Sequence, residues 1–218
     1  MHLCPPALRP PVNVLDVRWQ RCPQDGFLRG TIYTDGSGMN ARRRCTARIG
    51  WGVVSSRATN SVHEGEVYGP LPLFTQSTGG GEIFAAAMAL RLAAPLTPLT
   101  IATDYEPLVR GWQEGPLTYT GSGSRCGEPW CIFWCHALDF GLEYVTVRKV
   151  KAHCAFVDIA RGHITFADWC GNRDWRGDGT FSVTRSSTFS VTRSSTFEPA
   201  SSTGGRTTCS EAPSCHRR

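Results

Sequence analysis

Three carboxylates stand where side chains could work together. In "YTDGSG" a run of β-type residues reaches Asp35 and then two glycines; "GGGEIF" sets Glu82 near the start of a helical run; "LTIATD" ends on Asp104. Functional groups of open α/β sheets gather in the crevice at the carboxyl ends of the strands. If the strands carrying Asp35 and Asp104 are parallel neighbours, both acids project at one edge, and a helix packed across that edge brings Glu82 between them. Carboxylates so close repel one another in a dry crevice unless a divalent cation holds them. Mg²⁺ fits, because it is hard, prefers oxygen ligands and completes its shell with water and substrate phosphate; Mn²⁺ is the alternative. Two such ions about 3.5–4 Å apart can activate a water and stabilise the leaving oxygen in phosphodiester hydrolysis. Taken singly, each acid has a plainer explanation. An Asp before Gly is a common turn residue, and a Glu early in a helix suits the helix dipole.

The surrounding pattern supplies elements to hold these acids. Alternation in "GTIYTDGSG" reads as a strand ending near Asp35, followed by strands in "RIGWGVVSS" and "EVYGPLPL". The prolines of the third suit an edge. "TGGGEIFAAAMALRLAA" is an Ala/Leu-rich helix stopped by Pro95, and "PLTIATD" is a fourth strand. A second helix is expected around Leu108, Val109 and Trp112, and a third over "GEPWCIFWCHALDFG". "LEYVTVRKVKAH" is a fifth strand running out at His153. The expected fold is α/β: a five-stranded mixed sheet, three antiparallel strands and then two parallel ones reached through helical crossovers, with helices packed on it.

Three segments follow from composition. Residues 1–29 are proline-containing and aperiodic, and read as a leader or linker; 30–178 form the folded domain. From Thr180 a near-perfect repeat, "TFSVTRSSTFSVTRSSTF", is Ser/Thr-rich with almost no aliphatic side chains, so 179–218 read as a disordered tail. The chain has 218 residues, 40% of them hydrophobic, and a formal net charge of +5. That supports one core and tolerates a polyanionic partner. No stretch approaches the ~20 apolar residues of a membrane span. "MHLCPPALRPP" lacks the apolar run of a secretion signal. The 10 cysteines therefore read as reduced thiols of an intracellular protein, cytoplasmic or nuclear, and a monomer is expected. Cys126, Cys131, Cys135 and His136 lack the two separated pairs of a zinc site, and Cys131 and Cys135 read as the buried face of a helix. The "RGD" at 176–178 is not read as an adhesion motif, for want of a secretion signal.

In order, "IYTDGSG", "RIGWGVV", "VYGPLPLFTQSTGGGEIFAAAMAL", "LTIATD", "VRKVKAH" and "GN" resemble the motifs of a type 1 ribonuclease H domain, most like those of retrotransposon polyproteins of the non-LTR type. The likeness spans roughly 30–178. It implies a ribonuclease H-like fold and an endonuclease that hydrolyses the RNA strand of an RNA–DNA hybrid with two Mg²⁺ ions. Asp35, Glu82 and Asp104 match the first three metal-binding acids. His153 matches the loop histidine that assists proton transfer or product release, a role suited to a pKa near neutrality; a plain surface histidine is the other reading. A reverse transcriptase in a parent polyprotein is a further expectation. Proofreading exonucleases of related fold carry an acid where this chain has Ser37, and integrases place their glutamate after the second aspartate, whereas Glu82 precedes Asp104.

The chain departs from that pattern at its end. The family closes with Gly-Asn, a last metal-binding aspartate and a helix; here the run is "CGNRDWRGDGT". Counting from Gly171 and Asn172 reaches Arg176, a cation. Asp178 fits with two inserted residues and is the preferred fourth acid; Asp174 is the alternative. The closing helix is replaced by the Ser/Thr repeat. A catalytically impaired nucleic-acid-binding remnant is therefore the alternative function. For substrate contact, Arg42, Arg43 and Arg44, with Arg48, and Lys149 and Lys151 are candidate phosphate ligands, and Trp112, Trp130 and Trp134 a candidate stacking platform. The alternatives are a solvated loop and core packing.

Overall fold

The strand bearing Asp35 is the centre of the fold. β2 (Gly30–Met39) lies between β3 (Arg48–Ser56), its antiparallel partner, and β5 (Leu99–Thr103), its parallel one. β4 (His63–Pro70) pairs antiparallel with β3, and β6 (Val145–Lys149) pairs parallel with β5. The computed structural model describes residues 15–39, 47–56, 63–72, 76–121, 124, 126–152 and 154–173. The expected mixed α/β sheet, an antiparallel meander followed by two parallel strands, is present.

The sheet has six strands, one more than expected. β1 (Arg18–Arg21) pairs with β4, giving the order β1-β4-β3-β2-β5-β6. The extra strand comes from the segment read as a leader. That segment also supplies Leu28, fully buried, whose N–H donates to the carbonyl of Leu92 at 2.8 Å while its own carbonyl accepts from Ala94 at 2.9 Å. β4 is consequently an interior strand and not an edge; its proline, Pro70, sits at its last residue. The tail over 179–218 lies outside the described residues.

One face of the sheet is covered by helices. α1 (Thr78–Leu92) begins at Ser77, whose Oγ accepts from the Gly80 N–H at 3.0 Å and so satisfies one of the orphan donors of the first turn. From Gly80 to Leu90 every residue of α1 is buried. A helix apolar on all sides belongs inside a core. α2 (Glu106–Glu114), the short α3 (Pro116–Tyr119) and α4 (Gly127–Phe140) join that layer. In α4 the buried set is Pro129 in the first turn and then Trp130, Phe133, Trp134 and Ala137, the last four at the spacing of one helical face. Trp112 of α2 stacks on Trp134 with centroids 5.3 Å apart. The tryptophans considered as a stacking platform thus belong to the core and its margin. Cys131 and Cys135, read as buried, are exposed, because the tryptophans set the phase of α4 and leave both thiols on the opposite side.

The other face is covered mainly from the C-terminal side. α5 (Phe156–Ala160) and α6 (Phe166–Arg173) follow β6, and α6 packs on Tyr33. Tyr33, Ala102 and Val150 form a small separate core there. Among the described residues no helix is long and apolar enough to cross a membrane.

Candidate metal centre

Asp35 sits within β2, opposite Gly52 of β3, and the strand continues to Met39. It does not end at the acid, as the glycines after it led us to expect. Gly36 serves a close approach instead of a turn. A Cβ there would lie 2.6 Å from the backbone nitrogen of Glu82 and 2.9 Å from the carbonyl oxygen of Thr78. Gly81 mirrors it, with a built Cβ 2.7 Å from Ile49 and 3.0 Å from the carbonyl oxygen of Gly50. Helix and sheet meet here backbone to backbone, which no larger residue permits. That contact carries Glu82 to Asp35.

Asp104 follows the last residue of β5, directly beside β2. One carboxylate oxygen each from Asp35, Glu82 and Asp104 lies within 4.8 Å of the others. Among the described residues this is the single such grouping of His, Cys, Asp and Glu. The zinc-type group of Cys126, Cys131, Cys135 and His136 is not gathered.

Glu82 is the buried member, 6% exposed. Its pKa is pushed up to about 9, first by burial and then by the charge of Asp35, with Asp104 adding to the effect and the Gly36 backbone N–H opposing it. Its Oε2 is buried with no hydrogen-bond partner. A buried carboxyl group with one oxygen lacking a donor, gathered with two further carboxylates, is a poor arrangement for the protein alone. It suits a hard divalent cation, so the residues present fit the metal that the sequence implies.

A second polar group lies on the same face. Strand alternation places Tyr33 on the side of Asp35, and register aligns Tyr33 with Ala102 and Ala102 with Arg148. The Tyr33 hydroxyl donates to Asp168 Oδ1 at 2.9 Å, and Arg148 donates to both oxygens of Asp168, at 3.2 and 2.5 Å. Burial would raise the Asp168 pKa, but the bonds from Arg148, Thr165 and Tyr33 hold it below the ordinary carboxylate range. Burial and then the Asp168 charge push the Tyr33 phenol up. Gly171, one turn on from Asp168, lies flat on the Tyr33 ring, where a Cβ would come within 2.3 Å. Sequence reading missed this group. The available signal was strand alternation, which puts Arg148 and Lys149 on opposite faces.

The other expected site residues divide in two. Lys149 pairs with Glu106 at the start of α2, and Lys151 with Asp158 at 3.4 Å; both side chains are about half exposed. Arg48, paired with Met39, shares the face of Asp35 and donates to the Ala47 carbonyl. His153, Arg42, Arg43, Arg44, Asp174, Arg176 and Asp178 lie outside the described residues.

No family model matches the chain, and neither does any curated protein. Several solved structures are similar to it. A ribonuclease H1 designated LC11, in complex with an RNA/DNA hybrid, is 16% identical, with a TM-score of 0.42 over 55% of this chain and 83% of that one. A ribonuclease H1 from the halophilic archaeon Halobacterium salinarum is 15% identical, with a TM-score of 0.38 over 55% of this chain and 83% of its own. A foamy viral protease–reverse transcriptase in complex with double-stranded DNA is 18% identical, with a TM-score of 0.40 over 66% of this chain and 94% of that chain.

Proposed function

We propose that the chain is a metal-dependent endonuclease that hydrolyses the RNA strand of RNA–DNA hybrids, of the type 1 ribonuclease H kind. The observation that carries this reading is the meeting of Asp35, Glu82 and Asp104 within 4.8 Å, with a partnerless buried oxygen on Glu82. The ordered motif run supplies the substrate class. Asp35, Glu82 and Asp104 would hold Mg²⁺, which supplies activation of a water and charge stabilisation at the leaving oxygen. Asp35 is fixed by its pairing with Gly52 of β3, one residue past the Thr34–Thr103 end of the β2–β5 ladder, and Glu82 by the Gly36–Gly81 contact, so the oxygens are placed before any ligand arrives. The buried setting of Glu82 keeps water from competing for its oxygen. His153 is assigned proton transfer or product release, and Asp178 the fourth metal-binding acid. Lys149, Lys151 and the arginines at 42–44 are assigned backbone phosphates. The motifs are most like those of retroelement polyproteins, so a reverse transcriptase is the expected companion domain.

A second reading is favoured by one feature: Arg176 stands where the usual spacing places the fourth acid. A cation there opposes metal binding and would leave a hybrid-binding remnant without turnover. Incubation of the purified chain with a labelled RNA–DNA hybrid decides between them. The expected result is Mg²⁺-dependent cutting of the RNA strand that disappears in Asp35→Asn. Hybrid binding without cutting by well-folded protein would overturn the nuclease reading in favour of the remnant.

A further inference from the structure

Arg148 is the basic side chain that β6 turns toward the face of the acid cluster. Its neighbour Lys149 points the other way, into an ion pair with Glu106 of α2. Arg148 shares a register row with Ala102 and Tyr33, two residues before Asp104 and Asp35 along their segments and on the same face. Strand spacing and rise put its Cα roughly 8 Å from that of Asp104. A polymer whose scissile phosphate sits at the acids would therefore run past Arg148 as it leaves toward the β6 edge.

The surroundings of Arg148 decide what it can do. Its partner Asp168 is the buried member of the pair: the aspartate side chain is 12% exposed, the arginine 37%. The carboxylate thus lies beneath the guanidinium, held by Tyr33 from below, and the cation is the outward group. A guanidinium has five N–H donors in a rigid fork. Asp168 and Tyr33 engage part of that fork and fix its plane, and the remainder faces solvent. Orientation by a buried carboxylate removes most of the rotamer entropy that a free surface arginine loses on binding. A purely structural clamp for α6 would need neither this exposure nor a charge on the ligand face.

Building on the nuclease reading, we infer that Arg148, oriented by Asp168 and Tyr33, is a phosphate contact that holds the nucleic-acid backbone next to the scissile position. The contact is to the backbone and is independent of base sequence.

The test is the salt dependence of hybrid binding by the full chain, with a fluorescent RNA–DNA hybrid as probe and Asp35→Asn as the background to prevent cutting. Arg148→Gln is expected to weaken binding about tenfold and to lower the slope of log K against log [salt] by about 0.9, the loss of one phosphate contact. Arg148→Lys retains the slope, since the charge remains. Tyr33→Phe loosens the group without removing a charge, so it lowers the melting temperature and keeps the slope. Arg21→Gln, on the opposite edge of the sheet, is the control for loss of one positive charge anywhere. If Arg148→Gln keeps the wild-type slope, or Arg21→Gln lowers it equally, the inference is overturned while the nuclease reading stands. If the background protein does not bind the hybrid at all, the substrate reading fails and the inference falls with it.

Discussion

The two faces of the sheet are built differently. On the α1 side, Ile32, Val53 and Ile101 join a continuous core with almost the whole of α1 and the buried face of α4. On the other side the buried apolar cluster is Tyr33, Ala102 and Val150, and its neighbours are charged. The thick side has the apolar area to hold its elements in place. The thin side spends little on packing and presents Asp35 and Arg148 instead, with Asp168 buried beneath the guanidinium. Glu82 connects the two, since it is anchored in the packed helix yet reaches Asp35. The contrast teaches that the packing of this fold and its candidate site lie on different faces and meet at one helix terminus.

Truncations should expose that difference most sharply. Ile101→Ala, at a fully buried position of the thick side, should cost about 2–5 kcal/mol in urea unfolding. Val150→Ala on the thin side should cost about 1–2 kcal/mol. Equal losses would mean that the thin face is a true second core. Next in size is the effect of Glu82. Its folded-state pKa near 9 lies above the ordinary 4.5, so its contribution is fully present below about pH 4.5 and is lost as pH rises toward 9. By pH 7 the loss is roughly 3 kcal/mol. Without divalent cation, Glu82→Gln should therefore match the wild type near pH 4.5 and exceed its stability by that amount at pH 7. Added Mg²⁺ should narrow the gap by binding the wild type. A pH-independent difference would show that the carboxylates are not strained together. The smallest effect is expected from Ser77→Ala, about 1 kcal/mol from the lost cap of α1. If that change also weakens Mg²⁺ binding, the terminus of α1 links the faces more tightly than packing alone requires.

The acids were legible because residue type, order and element type all agreed on Asp35, Glu82 and Asp104. The reason for Gly36 was not, because a glycine after an aspartate looks the same whether it turns the chain or admits a helix; only the closeness of the α1 backbone, where a Cβ on Gly36 would lie 2.6 Å from the Glu82 nitrogen, separates the cases. β1 was missed because "RWQR" is four residues long with one aromatic and no alternating apolar set. Cys131 and Cys135 were placed on the wrong side because a run containing Ile132, Phe133 and Trp134 leaves the helical phase ambiguous until Trp130 and Ala137 settle it. Arg148 was passed over for Lys149 because adjacent basic residues look alike in sequence, and only the strand's two-residue period tells their directions apart.

The pairing of β1 with β4 bears on how this protein should be handled. A fragment trimmed to begin at Gly30, where the regular pattern starts, would lose Leu28 and strip the outer side of β4 of its partner at Glu66, Val67 and Tyr68. The bare strand would then offer its unpaired N–H and C=O groups to any other copy in solution. Such a fragment should precipitate or form higher-order species at concentrations where the longer chain stays dispersed.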